Sequence, residues 1–395
     1  MIPSPADIGG AQLFPSRPLA ATIIPVIQFL SQLVQAQSTL DKGEVAASQV
    51  ISDYFGRHGV PCSIDTWDTT RSNCIAHLRS SGRKKALLFA CHHDVVPPGD
   101  SEWRYPPFSG VIDAGKVHGR GSTDMKGGTA AAATAICEIV AEGVPLEGDV
   151  VFAATAGEET DGCGIRRFVE ARADLPDFAG VIVPEPTGFE IVSAHRGLLW
   201  LNIVTKGKTA HGSTPHLGIN AISSMKQVLD LLAEFSIEAE PHPRLGSCSM
   251  SINTIEAGKA LNVIPDRCTL GIDFRTLPGQ ASQDIIDRLE AMLVKLDERH
   301  AEFEASISII RSVGSIETDT EHEFVKGFCA TVDIKETRAV GYTTDAPFLT
   351  PLGAPILIFG PGDGSMCHQP NEYIEITAVE RAVAYYKKII IEFLT

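Results

Sequence analysis

The sequence predicts an α/β protein of two domains, in which a mostly parallel central sheet covered by helices is interrupted by a smaller inserted domain. Residues 86–91 form an uninterrupted apolar run, which is typical of a strand buried on both faces. Similar apolar runs at 149–155, 180–183 and 355–359 recur between helical patterns. The segment from 189 to 311 has a different pattern, which predicts a separate domain.

The pattern within this segment alternates strands and helices in the order β-α-β-β-α-β, which is the ferredoxin-like order. Strands are predicted at 198–205, 248–256, 267–275 and 302–310, and helices at 219–235 and 282–299. Such a unit has its own core and can be inserted into another domain. We therefore expect a discontinuous domain of residues 1–188 and 312–395 and an inserted domain of residues 189–311.

Length and charge exclude some classes of partner. The chain has 395 residues, enough for two or three domains. With 33 Lys and Arg against 49 Asp and Glu, its formal net charge is −16, and it has no basic cluster suited to nucleic acid phosphates. No apolar run approaches the roughly 20 residues of a membrane span. We expect neither a nucleic acid nor a membrane partner.

The nine cysteines are scattered and never spaced as Cys-x-x-Cys, which disfavours a disulfide framework or a zinc knuckle. Reduced thiols and a cytoplasmic location are the expectation. One segment leaves an alternative open, because residues 19–30 are apolar, follow Arg17 and precede a signal-peptidase-like sequence at 34–36. Ile23 and Ile27 fall at helical spacing, which favours an amphipathic helix.

The residues suited to catalysis follow the apolar runs. The strand at 86–91 leads into His92 and Asp94, and ligands of open α/β sheets collect just beyond the carboxyl ends of strands. The other candidates follow the remaining runs or precede a predicted helix: Asp124, Glu158, Glu159, Glu185 and His368. We therefore expect all of these side chains to meet at one edge of the sheet.

Two histidines with several carboxylates are the donor set expected for a pair of zinc-like ions. Two ions ~3.5 to 4 Å apart share a bridging carboxylate, for which Asp124 is the natural candidate. Of the neighbours Glu158 and Glu159, one would bind metal and the other would act as general base. Asp94 could accept the other ring N–H of His92 and fix its tautomer.

The blocks around these residues resemble a family of dinuclear zinc amidohydrolases and peptidases, which includes acetylornithine deacetylase, succinyl-diaminopimelate desuccinylase, aminoacylase and carboxypeptidase G. Five blocks in order carry the resemblance: Cys-His92-His-Asp94-Val-Val-Pro, Gly-Arg-Gly-Ser-Thr-Asp124-Met-Lys-Gly, Gly-Glu158-Glu159, Pro-Glu185-Pro-Thr and Cys-His368-Gln-Pro-Asn-Glu. The resemblance implies a zinc-peptidase-like catalytic domain and an inserted domain that serves as lid and dimerisation domain.

The same resemblance assigns a role to each candidate. It implies two Zn²⁺ per chain, which Co²⁺ would be able to replace, with Glu158 as general base. The implied ligands are His92, Asp124 and Glu185 for one ion and Asp124, Glu159 and His368 for the other.

Motifs of the inserted domain resemble those of the family's lid. They are Ala-His211-Gly-Ser-Thr-Pro-His, Asn262-Val-Ile-Pro and Asp-Phe-Arg275. The resemblance implies a homodimer through this domain, with His211 donating to the oxyanion in the neighbouring subunit and Arg275 binding the α-carboxylate of the substrate. Asn262, Arg196 and Thr344 are further candidate substrate contacts.

The expected reaction is hydrolysis of the amide bond of an N-acyl-L-amino acid. The block from Thr344 to Tyr373 most resembles the acetylornithine deacetylase branch, which implies N-acetylornithine or a close relative as substrate, in arginine biosynthesis. Gly364 stands where the desuccinylase branch tends to carry Asn. The alternatives are a succinyl-diaminopimelate desuccinylase, an aminoacylase, a dipeptidase or carboxypeptidase, and a non-catalytic binding protein with the same fold.

Overall fold

The apolar run at 86–91 forms a central strand of the large sheet in the computed structural model, which describes residues 25–237 and 239–395. The expectations for residues 19–24 lie outside the described residues. The following residues of that segment, Pro25–Gln35, form a helix whose apolar face is buried.

The helices are α1 (Pro25–Gln35), α2 (Val45–Arg57), α3 (Gly127–Ala141), α4 (Cys163–Glu170), α5 (Ala221–Glu234), α6 (Ser282–Arg299), α7 (Glu323–Val332) and α8 (Ile376–Leu394). The strands are β1 (Cys62–Trp67), β2 (Arg71–Leu78), β3 (Ala86–His92), β4 (Val111–Asp113), β5 (Lys116–His118), β6 (Val150–Thr155), β7 (Phe178–Val183), β8 (Ile191–His195), β9 (Gly197–Lys206), β10 (Ser249–Ala257), β11 (Arg267–Thr276), β12 (Glu304–Val313), β13 (Ile316–Glu317), β14 (Thr337–Val340), β15 (Ile356–Ile358) and β16 (Tyr373–Glu375). None of the helices in the described ranges is long and apolar enough to cross a membrane.

The large sheet has the strand order β1-β2-β6-β3-β7-β15-β8-β13, with β14 also paired to β8. Its centre is parallel, since β3 pairs in parallel with β6 and β7, and β7 with β15. Alternate residues of β3 pack into two different cores: Leu87 and Phe89 face one, and Leu88 and Ala90 face the other. Both faces of the strand are therefore buried, as the uninterrupted apolar run predicts.

The alanine-rich helix α3 packs directly onto this sheet. A Cβ atom at Gly128 would lie 2.1 Å from the main-chain oxygen of Pro184, which shows how close the helix comes to the end of β7. Small residues allow this approach. As a result, α3 and the loop before it lie beside the carboxyl end of β3, and α3 also reaches the residue that follows β7.

The inserted domain contains a four-stranded antiparallel sheet of order β10-β11-β9-β12. Helices α5 and α6 share one core with this sheet. The chain order β9-α5-β10-β11-α6-β12 is the predicted ferredoxin-like order. The predicted fold class, a mostly parallel α/β sheet with an inserted domain, is therefore confirmed.

The edges of the inserted domain differ from the predicted range of 189–311. Ile191–His195 pairs with β13, β14 and β15 of the large sheet, and β12 continues to Val313. A short apolar strand carries no information about which sheet it will join, so the sequence pattern alone misses this edge. We propose residues 197–313 as the inserted domain.

Candidate metal centre

The predicted ligands lie around the carboxyl ends of neighbouring strands of the large sheet. His92 is the last residue of β3, and Glu185 follows β7 by two residues. Glu159 lies in the turn after β6, while Asp124 lies just before α3 and His368 lies beyond β15. Because β6, β3, β7 and β15 are consecutive in the sheet, these side chains are brought together, as expected.

Two groups of ligand atoms share Asp124. In one, Nε2 of His92 lies 3.2 Å from Oδ1 of Asp124 and 3.7 Å from Oε1 of Glu185. In the other, Nε2 of His368 lies 3.4 Å from Oδ2 of Asp124 and 3.0 Å from Oε1 of Glu159. Each carboxylate oxygen of Asp124 therefore faces a different histidine.

These spacings fit metal ligands. Two donor atoms each ~2.0 to 2.1 Å from one tetrahedral ion lie about 3.3 Å apart, close to the distances within each group. The donors of each group also lie within 4.8 Å of one another. Imidazole nitrogen and carboxylate oxygen suit zinc, so the residues fit a dinuclear site bridged by Asp124.

The charges in the cluster also fit a cation. Burial, followed by the nearby charge of Asp124, raises the pKa of both Glu185 and Glu159. Burial opposes ionisation of Asp124 too, but hydrogen bonds with His368 and His92 hold its pKa below the ordinary value. Hydrogen bonds to Asp124 and Glu159 raise the pKa of His368 to about 10. This concentration of buried negative charge is what a divalent cation would balance.

Glu158 lies beside the two groups of candidate ligand atoms, but it belongs to neither of the groups that share Asp124. Its side chain is 10% exposed, and Oε1 lies 3.8 Å from Nη2 of Arg311, which also donates to the main-chain oxygen of Glu158. Burial raises the pKa of Glu158 well above its ordinary value. Glu158, His92 and Glu159 form a further set of close donor atoms, so proximity alone does not separate base from ligand.

Asp94 contacts His92 differently from the predicted arrangement. Nδ1 of His92 donates to the main-chain oxygen of Asp94 at 3.1 Å, whereas its distance to the carboxylate oxygen Oδ1 is 3.6 Å. The Asp94 carboxylate instead accepts hydrogen bonds from the main-chain N–H groups of Glu158 and Glu159, at 3.1 and 3.0 Å. Asp94 therefore leaves Nε2 of His92 facing Asp124 and Glu185, and its carboxylate also holds the main chain of the two glutamates in place.

A cavity of about 400 Å³ opens over the cluster, between the two domains. Thr344 and Arg275 line it, but both have partners: the Thr344 hydroxyl oxygen contacts Nε2 of His195 at 3.1 Å, and Arg275 makes two hydrogen bonds to Asp273. Arg196 is not part of the lining and donates to the main-chain oxygen of Leu245.

His211 and Asn262 lie next to each other on the inserted domain. Gly212 donates its N–H to the main-chain oxygen of Asn262 at 2.7 Å, and His211 forms a β-bridge with Val263. Both residues are exposed, and neither lines the cavity of its own chain. Within one chain, the structure does not bring them to the predicted ligands.

The sequence interpretation missed several cavity residues. Trp200 and Arg311 lie opposite each other on β9 and β12, and both line the cavity together with Leu198 and Tyr342. Residues that face each other on neighbouring strands lie on the same face of the sheet, so the strand register could have identified this pair. Sequence spacing alone does not supply that register.

The sequence of residues 88–392 matches the family described as Peptidase family M20/M25/M40. The acetylornithine deacetylase of Buchnera aphidicola subsp. Schizaphis graminum is 30% identical over 376 residues, covering 94% of this chain and 95% of the relative. A probable succinyl-diaminopimelate desuccinylase of Staphylococcus epidermidis is 28% identical over 402 residues, covering 93% and 97%.

Solved structures share the fold over most of the chain. An M20 family metallo-carboxypeptidase of Sulfolobus solfataricus has a TM-score of 0.79 at 19% identity, covering 94% of this chain and 99% of the other. A dinuclear metal binding peptidase of the M20 family from Bacillus subtilis has a TM-score of 0.69 at 16% identity, covering 93% and 96%. The match over more than half of the chain and the 30% identical relative show that this protein belongs to the M20/M25/M40 peptidase family.

Proposed function

We propose that the protein hydrolyses the amide bond of an N-acyl-L-amino acid, with N-acetylornithine or a close relative as the first candidate substrate. The observation that carries the proposal is the pair of ligand groups sharing Asp124, with the buried Glu158 beside them at the floor of a cavity. Two bound divalent ions, Zn²⁺ in this proposal and replaceable by Co²⁺, would polarise the scissile carbonyl and lower the pKa of water.

The chain's own residues divide into ligands and a base. His92 and Glu185 would hold one ion, Glu159 and His368 the other, and Asp124 both, as the two sets of distances support.

Glu158 would take the proton of the attacking water and pass it to the leaving amine. Its raised pKa suits a group that must both accept and release a proton. Asp94 would hold the loop that carries this base and Glu159.

Arg275 would bind the α-carboxylate of the substrate. It lines the cavity from the inserted domain, and its guanidinium already pairs with the carboxylate of Asp273 in the geometry that a substrate carboxylate would use. Thr344, on the opposite wall, would contact the substrate near the scissile bond.

His211 and Asn262 would act in a neighbouring subunit. They lie on the inserted domain and do not line the cavity of their own chain; Asn262 follows the edge strand β10, and His211 pairs with the adjacent Val263. Ile252, Ile255 and Val263 on or beyond β10 are between 42% and 54% exposed. An open sheet edge with exposed apolar side chains favours pairing with a second copy, so we expect a homodimer through the inserted domain.

A second candidate substrate class is an N-succinyl amino acid. Arg311 lines the same cavity as Arg275, and a second guanidinium could bind the extra carboxylate of a succinyl group. Within the chain this guanidinium contacts Glu158.

A substrate panel separates these possibilities. Matched N-acetyl and N-succinyl amino acids, including N-acetylornithine and N-succinyl-diaminopimelate, together with dipeptides, are assayed with added Zn²⁺ or Co²⁺ after metal removal. The proposal expects metal-dependent release of acetate from the N-acetyl compounds with the highest kcat/KM. Preference for N-succinyl compounds would favour the second candidate. Metal binding without turnover of any amide would favour a non-catalytic binding protein.

A further inference from the structure

We propose that the buried ion pair between Arg120 and Glu372 positions Asp124 and His368, and thereby sets the affinity of the metal site formed by Asp124, Glu159 and His368. The inference rests on the proposed dinuclear centre. Nη1 of Arg120 lies 2.5 Å from Oε2 of Glu372, and the two side chains are only 3% and 0% exposed.

Glu372 holds the loop that carries the bridging ligand. Its second oxygen, Oε1, accepts hydrogen bonds from the main-chain N–H groups of Thr123 and Asp124, at 2.8 and 3.2 Å. The main chain at Glu372 and Tyr373 is also fixed, since Gly119 donates to the Glu372 carbonyl oxygen and Tyr373 pairs with His118. Because the Glu372 carboxylate holds the main chain at Thr123 and Asp124, it fixes the position of the Cα atom from which the Asp124 side chain extends.

Arg120 holds the loop that carries the terminal ligand. Nη2 of Arg120 donates to the main-chain oxygen of His368 at 3.1 Å, and Nη1 lies 3.4 Å from that of Gln369. His368 has a positive φ of 64° and an exposed ring, so little other packing fixes its orientation. Arg120 and Glu372 therefore form one continuous network from the bridging aspartate to the exposed histidine.

The ion pair supports the two proposed metal sites unequally. His92 ends β3 and Glu185 follows β7; both are buried, and among the described residues neither forms a hydrogen bond or an ion pair with Arg120 or Glu372, so Asp124 is their one link to the pair. His368, by contrast, is tied to Arg120 through its own carbonyl group. Loss of the pair should therefore weaken the site of Glu159 and His368 much more than the site of His92 and Glu185.

The test measures metal affinity without using activity. Stepwise Zn²⁺ affinities of the full chain are determined by competition with a chromophoric chelator, and the absorption spectrum of the Co²⁺-loaded chain reports ligand geometry. Glu372→Gln and Arg120→Lys should each weaken the second affinity by about 10- to 100-fold, the range typical for groups that orient metal ligands, and change the Co²⁺ spectrum of that site. The first affinity, that of the site of His92 and Glu185, should fall much less, because only the shared Asp124 links that site to the ion pair.

Asp149→Asn is the matched control. Asp149 is also a partly buried carboxylate that accepts from a main-chain N–H, that of Ser80, and from His77, but it precedes β6, at the end opposite the metal ligands. This variant should lower stability without changing either metal affinity. Arg120→Lys keeps a buried positive charge. It therefore serves as the second variant if Glu372→Gln does not fold.

Unchanged second-site affinity in folded variants, or an equal loss at both sites, would overturn the inference while leaving the proposed function intact. A wild-type chain that binds no divalent metal would instead overturn the proposed function and, with it, the basis of this inference.

Discussion

Arg71 and Glu44 form a buried ion pair next to the turn that leads into Glu158. Nε of Arg71 lies 2.9 Å from Oε2 of Glu44, and the two side chains are 11% and 1% exposed. Burial, which outweighs the attraction of Arg71, raises the pKa of Glu44 to about 7. A Cβ atom at Gly157 would lie 2.6 Å from Nη2 of Arg71, so the pair also supports the turn that holds the proposed base.

We expect this pair to make stability depend on pH. The folded chain binds the Glu44 proton more tightly than the unfolded chain, whose carboxyl has the ordinary pKa of 4.5. The resulting stabilisation is fully present below the ordinary pKa and is lost as the pH rises to about 7. Compared with Glu44→Gln, the wild type should lose about 3 kcal/mol of unfolding free energy across this window.

Urea unfolding of the wild type and Glu44→Gln across this pH window measures the difference directly. Asp149→Asn is a suitable control, because hydrogen bonds overcome burial to hold the pKa of Asp149 below its ordinary value. The titration of the Asp149 carboxyl itself therefore falls at more acidic pH, below this window. If the difference between wild type and Glu44→Gln were constant across the window, the assignment of a raised Glu44 pKa would be wrong.

Glu158→Gln should abolish turnover and leave the metal content nearly unchanged. The amide cannot accept the proton of water, and loss of general base catalysis costs about 10²- to 10⁴-fold in rate. Glu159→Gln should instead reduce the metal content, because Oε1 of Glu159 lies 3.0 Å from Nε2 of His368. Measurement of kcat together with metal analysis distinguishes the two variants, and the opposite pattern would exchange the two roles.

Arg275→Lys should raise KM strongly for an N-acetyl amino acid and change it little for the corresponding amide, which lacks the α-carboxylate. A lysine keeps the charge but loses the two-pronged geometry of the guanidinium. Steady-state kinetics with the two compounds measures this difference. Equal effects on both would mean that Arg275 serves mainly as the partner of Asp273.

The sequence could predict the gathering of the candidate ligands because chain direction fixes where parallel strands end. His92 ends one buried strand and Glu185 follows another. The rule that ligands collect beyond the carboxyl ends of parallel strands was therefore enough to predict that the two side chains lie close together. The partners of Asp94 could not be predicted in this way. Its carboxylate accepts from main-chain N–H groups, which every residue except proline carries and which therefore leave no pattern in the sequence.

The sequence pattern also could not predict the contacts between the two domains. Arg311 reaches Glu158 from another domain, and Arg196, although it follows the strand Ile191–His195, turns to the carbonyl group of Leu245. The strand register within one domain does not determine where either arginine side chain points. Such contacts depend on how the inserted sheet is oriented against the large sheet, which local periodicity does not determine.

The last prediction concerns His211. His211→Ala should lower kcat by roughly 10²- to 10³-fold with unchanged metal content, because an oxyanion donor would be lost while every proposed ligand remains. Its ring is exposed, with Nδ1 2.7 Å from the hydroxyl oxygen of Ser213, so Nε2 is the nitrogen left to reach a neighbouring site. Ser213→Ala is a control that keeps the imidazole and changes only its local partner.

Subunit mixing tests whether His211 acts across the dimer. A heterodimer of His211→Ala and Glu158→Ala subunits has one cavity with its own intact Glu158 and the partner's intact His211. Random exchange of equal amounts should therefore restore activity at about a quarter of all sites, although neither variant is active alone. Mass spectrometry of the native complexes verifies that exchange has occurred. Activity that stays absent after verified exchange would mean that His211 does not act in trans, because only a trans contact reunites the two groups at one site.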